Sequence, residues 1–152
     1  MRTRILISAC LAGMNCRYDG DGKCLPELEG LMELAEMIPV CPEVFGGLPT
    51  PRTPSERKND RVIMRDGTDV TAAFQRGAAE ALALAERFGA RIAILKERSP
   101  SCGSGEIYDG TFTGAKTSGD GVTAELLKKN GMEIYGESRV NELIKQLKEG
   151  HI

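Results

Sequence analysis

Histidine is almost absent from this 152-residue chain: the one copy, His151, stands beside the end of the sequence. Chain ends fray, so most Cys–His, Ser–His and histidine–metal chemistry is removed from consideration. An excess of charge is lacking too, since 20 Lys and Arg face 22 Asp and Glu, for a net charge of −2 with no block of either sign. A general grip on nucleic acid needs a basic surface, and this balance argues against one while leaving room for a single phosphate. Long apolar runs are missing. The longest, Ile5 to Met14, is about half of what a bilayer span requires, and the Met1-Arg2-Thr3-Arg4 segment before it does not resemble a secretory signal. No membrane partner is expected.

Cysteine, by contrast, is present five times. An odd count leaves at least one thiol without a partner. A chain of this length buries roughly 70% of the surface its unfolded form exposes, without disulfide staples. The thiols are therefore free for chemistry, and a reducing cytoplasm is the expected setting.

Apolar periodicity predicts one α/β domain over residues 1–152. Residues 4–9 read as a buried strand and 11–23 as a Gly- and Asp-rich loop. Pro26 opens a helix whose stripe is Leu28, Leu31, Leu34, Ala35 and Ile38, and 38–41 form a short second strand. Three prolines between Gly46 and Pro54 deny the backbone the donors of a regular ladder and give a shaped loop. A strand at 61–64 and a turn at Asp66-Gly67 lead to the longest helix, capped by Asp69 and ended by Gly89, with Val70, Phe74, Gly77, Ala81, Ala85 and Phe88 on one face. The strongest strand is 90–96. A glycine-rich loop over 103–121, a helix over 122–130, a strand at 132–135 and a helix from 138 to about 149 complete the chain. Strands alternating with helices imply a mostly parallel sheet covered on both faces.

Cys10, Cys41 and Cys102 each come at or soon after the end of a different strand-like run. In an open α/β sheet the ligand crevice lies outside the carboxyl ends of the strands, so the three can meet there as metal ligands. The alternative is that they are small buried hydrophobes. A structural zinc ion would call for a fourth Cys or His, whereas an iron–sulfur cluster on three thiolates leaves one iron open. Cys16 and Cys24 share a loop with Cys10 and are either fourth ligands or surface thiols. Glu43, two residues past Cys41, is either solvated or a general base or acid. Ser99 and Ser101 either cap a turn around Pro100 or aim a hydroxyl at a reacting centre. Gly110 to Thr117 nearly matches a phosphate-binding P-loop, but Ala115 stands where a glycine is needed, and the strand–loop–helix context is missing. A lid whose amides and Lys116 meet an anion suits it better.

Four blocks in order carry a resemblance: Ser8-Ala9-Cys10-Leu11, Cys16-Arg17-Tyr18-Asp19-Gly20, Cys41-Pro42-Glu43 through Pro51-Arg52, and Leu95-Lys96 with Ser99-Pro100-Ser101-Cys102-Gly103. Together they resemble the thiouracil desulfurase (desulfidase) family across nearly the whole chain. The resemblance implies a Rossmann-like three-layer domain and a 4Fe-4S cluster held by Cys10, Cys41 and Cys102. It implies catalysis by Glu43 with Ser99 or Ser101, Ser99 being favoured. The substrate would be a small thiolated pyrimidine, 4-thiouracil or 4-thiouridine monophosphate, desulfurated without redox change, water replacing sulfur at C4 and sulfide leaving. A phosphate is expected against Arg52, Lys116, Thr117 and Ser118. Many members carry an apolar residue at the place of Cys16, and Cys24 lies outside the matched blocks. Two other readings of the same residues are a non-catalytic iron–sulfur or zinc module with a closed four-thiolate site, and an iron–sulfur hydro-lyase.

Overall fold

The computed structural model describes residues 2–152. In chain order its elements are β1 (Arg4–Ser8), α1 (Leu28–Leu34), β2 (Glu36–Val40), α2 (Pro42–Phe45), β3 (Ser55–Lys58), β4 (Arg61–Met64), α3 (Thr71–Phe88), β5 (Ile92–Leu95), β6 (Glu106–Tyr108), β7 (Lys116–Ser118), α4 (Val122–Lys129), β8 (Glu133–Gly136) and α5 (Val140–Lys148). The central sheet has the order β2-β1-β5-β8 with every pairing parallel. Among the described residues no helix is long and apolar enough to cross a membrane.

Side-chain alternation along the strands builds two cores. Ile5, Ile7, Ile92 and Ile94 face one side with Leu31 of α1 and Val140 and Leu143 of α5. Leu6, Ala93 and Leu95 face the other with Ala85 of α3 and Ala124 and Leu127 of α4. β1 and β5 are apolar on both faces because helices cover both, the pattern of a buried parallel strand. The chain runs from β1 outward to β2, then crosses back to place β5 on the far side of β1. The strand order reverses between β1 and β5, and a crevice opens at such a switch point beyond the carboxyl ends of the strands.

Most of the expected elements are present; the short helix α2 is not among those expected, and three other differences stand out. α1 stops at Leu34 and the second strand starts at Glu36, two residues before the expected 38, because Glu36 N–H donates to Thr3 O at 2.8 Å and five residues then pair in register with β1. Pro39 is accommodated since β2 is an edge strand that needs no donor there. The expected 103–121 loop contains an antiparallel hairpin, Glu106 pairing with Ser118 and Tyr108 with Lys116. Finally, β3 follows the Pro-rich loop and pairs with β4, although Ser55-Glu56-Arg57-Lys58 has no apolar signal to mark a strand. Gly89 closes α3 in the left-handed region at φ 71° as expected, and Asp69 Oδ1 accepts from Thr71 N–H at 2.9 Å at the helix start.

α2 and α3 touch backbone to backbone. A Cβ on Gly77 would lie 1.7 Å from Pro42 O, and one on Gly46 would lie 2.0 Å from Ala73 O. Glycine at these positions lets α3 seat the short helix that carries Glu43. Gly77→Ala is expected to destabilise the protein by about 1–3 kcal/mol or more, the scale of core overpacking, read from the denaturation midpoint. Gly30→Ala in α1, where a Cβ meets nothing within 4 Å, should stabilise by about 0.5–1 kcal/mol through helix propensity.

Candidate active site

A cleft of about 690 Å³ opens at the carboxyl ends of β1, β2 and β5, and Cys10, Cys16, Cys41 and Cys102 all line it. Each is set by a different local device. After β1 the chain enters a short 3-10 turn, Ala9–Ala12, and the carbonyl of Cys10 accepts from both Gly13 N–H (3.1 Å) and Lys23 N–H (2.8 Å). The double acceptance folds the Cys16 loop back over Cys10. Cys41 stands in extended conformation before α2, with Pro42 at the first helical position. Cys102 ends a turn in which Ser99 Oγ accepts from the N–H groups of Ser101 (3.2 Å) and Cys102 (3.1 Å).

The thiols are neighbours in a poorly hydrated place. Burial, with Cys16 and Cys41 close by, pushes Cys10 up to about 12. Burial and the adjacent Cys41 do the same to Cys16, and burial raises Cys102 to about 12. Such thiols stay protonated until a cation displaces the proton, as metal binding does. Cys41 Sγ lies 3.8 Å from Cys16 O. Cys24 is exposed and outside the cleft.

Among the described residues no group of three His, Cys, Asp or Glu is gathered tightly enough for a single metal ion. A cubane cluster spreads its thiolates over separate corners. Cys10, Cys41 and Cys102 line one cleft, and their sulfurs are soft donors.

Beside the thiols runs a chain of hydrogen bonds. Ser101 Oγ donates to Glu43 Oε2 at 2.9 Å and lies 3.0 Å from Ser99 Oγ. Ser101 has one hydroxyl proton, and the carboxylate is the stronger acceptor, so Ser99 donates to Ser101. The direction is Ser99 to Ser101 to Glu43. Ser101 is 2% exposed and in direct contact with the carboxylate, whereas Ser99, the serine the sequence favoured, stands one bond further away.

Arg52 closes the other side of Glu43. Its Nε donates to Glu43 Oε1 at 3.0 Å, Nη1 to Pro49 O and Thr50 Oγ1 at 3.1 Å each, and Nη2 to Cys16 O at 3.0 Å. With its side chain 3% exposed and four of its five N–H donors bonded within the protein, Arg52 is a tie for the carboxylate. Lys116, Thr117 and Ser118 are exposed on β7 and do not line the cleft. From the hairpin, Tyr108 on β6 and Phe112 and Gly114 at the tip line the cleft instead.

Several further lining residues have no role assigned from the sequence alone. Ser8, 2% exposed, accepts from Lys96 N–H at 2.9 Å, tying β1 to the residue that follows β5. Arg17, Lys23, Arg65 and Arg98 put positive charge around the mouth. Tyr108 and Phe112 come from the hairpin. A serine in an apolar strand is a readable flag for the first. The others depend on how loops distant in sequence fold together.

These features define a doubly wound α/β protein with a thiol-lined, carboxylate-flanked cleft at its switch point. A model of the 2-thiouracil desulfurase family matches residues 5–139, and the chain belongs to that family. Over 150 residues it is 41% identical to a protein of Bacillus subtilis (strain 168) named "Uncharacterized protein YbbK", with 92% of this chain and 99% of that one covered. Its structure is also similar to that of a 4Fe-4S-dependent thiouracil desulfidase, TudS, with a TM-score of 0.91, 46% identity, and coverage of 97% of this chain and 99% of that one.

Proposed function

We propose that the protein is a 4Fe-4S-dependent desulfidase of thiolated pyrimidines, replacing the ring sulfur by oxygen from water and releasing sulfide. The observation that carries this reading is the Ser99–Ser101–Glu43–Arg52 chain set beside three strand-end thiols in one cleft. Cys10, Cys41 and Cys102 would hold the cluster, which supplies a soft Lewis-acidic iron for the thiocarbonyl sulfur.

Glu43 serves as general base. Its two oxygens each hold one partner, Arg52 and Ser101, and a carboxylate has about four lone-pair sites, so it retains capacity to accept a proton from water. Arg52 fixes the plane of the carboxylate. Ser101 orients it from the other side and, with Ser99 behind it, forms a path along which a proton returns toward the leaving sulfur. The balance is one thiocarbonyl and one water giving one carbonyl and hydrogen sulfide, with no change of oxidation state. For a nucleotide substrate, the phosphate falls to Arg17, Lys23, Arg65 and Arg98 at the mouth of the cleft, in place of Arg52 and Lys116 to Ser118.

Protein isolated without oxygen is expected to hold about four irons and four labile sulfides per chain. Ala at Cys10, Cys41 or Cys102 should empty the site, while Cys24→Ala keeps it. Stoichiometric zinc without labile sulfide, after anaerobic reconstitution, would sink the assignment.

Glu43→Gln should retain the cluster absorption and lose about 10²-fold or more in kcat, the scale of a missing general base. Ser101→Ala should cost more than Ser99→Ala, because only Ser101 touches the carboxylate. The reverse order would restore Ser99 as the primary hydroxyl.

Steady-state kinetics on 4-thiouracil, 4-thiouridine and 4-thiouridine monophosphate should give the highest kcat/KM for the monophosphate. Lys23→Gln and Arg98→Gln should raise KM for the monophosphate and leave that of the free base unchanged. Equal specificity constants across the three would remove the phosphate contact and leave the desulfidase assignment standing.

A further inference from the structure

Phe112 occupies a backbone position that its side chain disfavours. Its φ is 58°, in the left-handed region that suits glycine or asparagine and is an outlier for a bulky residue. Folding supplies no reason for a ring there, because Phe112 belongs to none of the apolar cores. The tip around it, Asp109-Gly110-Thr111-Phe112-Thr113-Gly114, is otherwise small and polar. Strain kept at a position without a packing function marks a functional demand.

The surrounding chain over-determines this conformation. Glu56 of β3 accepts from the N–H groups of Gly110 (2.9 Å) and Phe112 (3.1 Å) through one carboxylate oxygen. Asp109 Oδ1 accepts from Thr111 N–H at 3.0 Å. Gly110 sits so close to β3 that a Cβ there would lie 2.8 Å from Lys58 Cβ. The guanidinium of Arg65 lies 5.5 Å from the centre of the Phe112 ring. The ring so held is half-buried and lines the cleft.

Few other rings are available. Of the four Phe and three Tyr in the chain, Phe74 and Tyr135 are core residues, Phe45 packs against a core, and Phe88 lies by the opposite ends of the strands. Tyr18 and Tyr108 also reach the cleft, on ordinary backbone.

We propose that Phe112 is the platform on which the substrate's pyrimidine ring stacks, and that Glu56 is the positioning residue that holds it there. The proposal rests on the desulfidase reading for the identity of the ring. A planar base has a π-face whatever its substituent, so stacking holds the ring in the cleft, in ground and transition state alike, without discriminating sulfur from oxygen. Both substrate and product should use it.

The test pairs binding with stability on the cluster-loaded protein. Phe112→Gly and Phe112→Leu should raise KM for the thiopyrimidine roughly tenfold or more, the scale of one lost base–aromatic stack, with kcat within about threefold, the signature of binding lost equally in ground and transition states. Phe112→Tyr should keep the KM. Phe112→Gly should denature no earlier than the parent, because it relieves backbone strain. Glu56→Ala should raise KM in the same direction, and Glu56→Gln, which still offers a carbonyl oxygen to both amides, should restore it. Independently of turnover, NMR of uridine monophosphate at up to 10 mM should show its H5 and H6 shifted upfield by the parent protein and not by Phe112→Leu. An unchanged KM in Phe112→Gly, an equal shift with both proteins, no shift with either, or a loss of stability in Phe112→Gly matching its loss of affinity would overturn the proposal. Failure of the desulfidase reading shows separately, as parent protein that turns over no thiopyrimidine while the NMR arm still reports on the ring.

Discussion

The guanidinium of Arg52 lies almost wholly out of water, and it joins three pieces of chain: the Pro-rich loop through Pro49 and Thr50, the Cys16 loop through a carbonyl, and α2 through Glu43. A planar fork with several fixed donors can do this where a lysine, a point charge on a flexible stem, cannot. The ion pair with Glu43 is mostly desolvated, and losing one partner from such a pair leaves an uncompensated charge. Tyr18 O adds to the tie by accepting from Arg52 N–H at 2.7 Å. The walls of the cleft stay in register because this one side chain satisfies carbonyls and a carboxylate together.

The floor depends on a different constraint. Parallel strands apolar on both faces must be covered by helices on both faces, and each crossover returns the chain to the same end of the sheet. Cys10, Cys41 and Cys102 follow three parallel strands of this sheet, β1, β2 and β5, so the topology that buries Ile5, Leu6, Ile92 and Ala93 also delivers the three thiols to one crevice. The α2–α3 contact sets the height of Cys41 and Glu43 above this floor, since the backbones at Gly46 and Gly77 meet without a side chain between them.

The parts legible in the sequence were those with a period or a covalent restraint. The Ile5–Ser8 and Ile92–Leu95 runs, the Val70-to-Phe88 stripe and its closing glycine were readable because burial imposes spacing. Glu43 and the serines stood out by their nearness to cysteines. What escaped was non-local. Ser55–Lys58 is a polar strand defined by its partner, and the hairpin around Gly110 is built from glycines whose conformation only the fold selects. Arg52 was visible as a cation at the end of a shaped loop, but its role turns on the carbonyls and carboxylate that converge on it from two other segments.

The floor and roof of the cleft belong to separate sheets. The thiols hang from the central parallel sheet, while Glu56, Arg65, Tyr108 and Phe112 come from the β3–β4 and β6–β7 hairpins, joined to each other at the Glu56 carboxylate. Replacing a residue at the hairpin tip leaves the ladder hydrogen bonds and apolar layers of the parallel sheet intact. The half of the cleft that carries the thiols and the half that carries the aromatic rings are therefore free to diverge at different rates, so that a descendant with a remodelled roof can meet a differently shaped ligand over the same thiols.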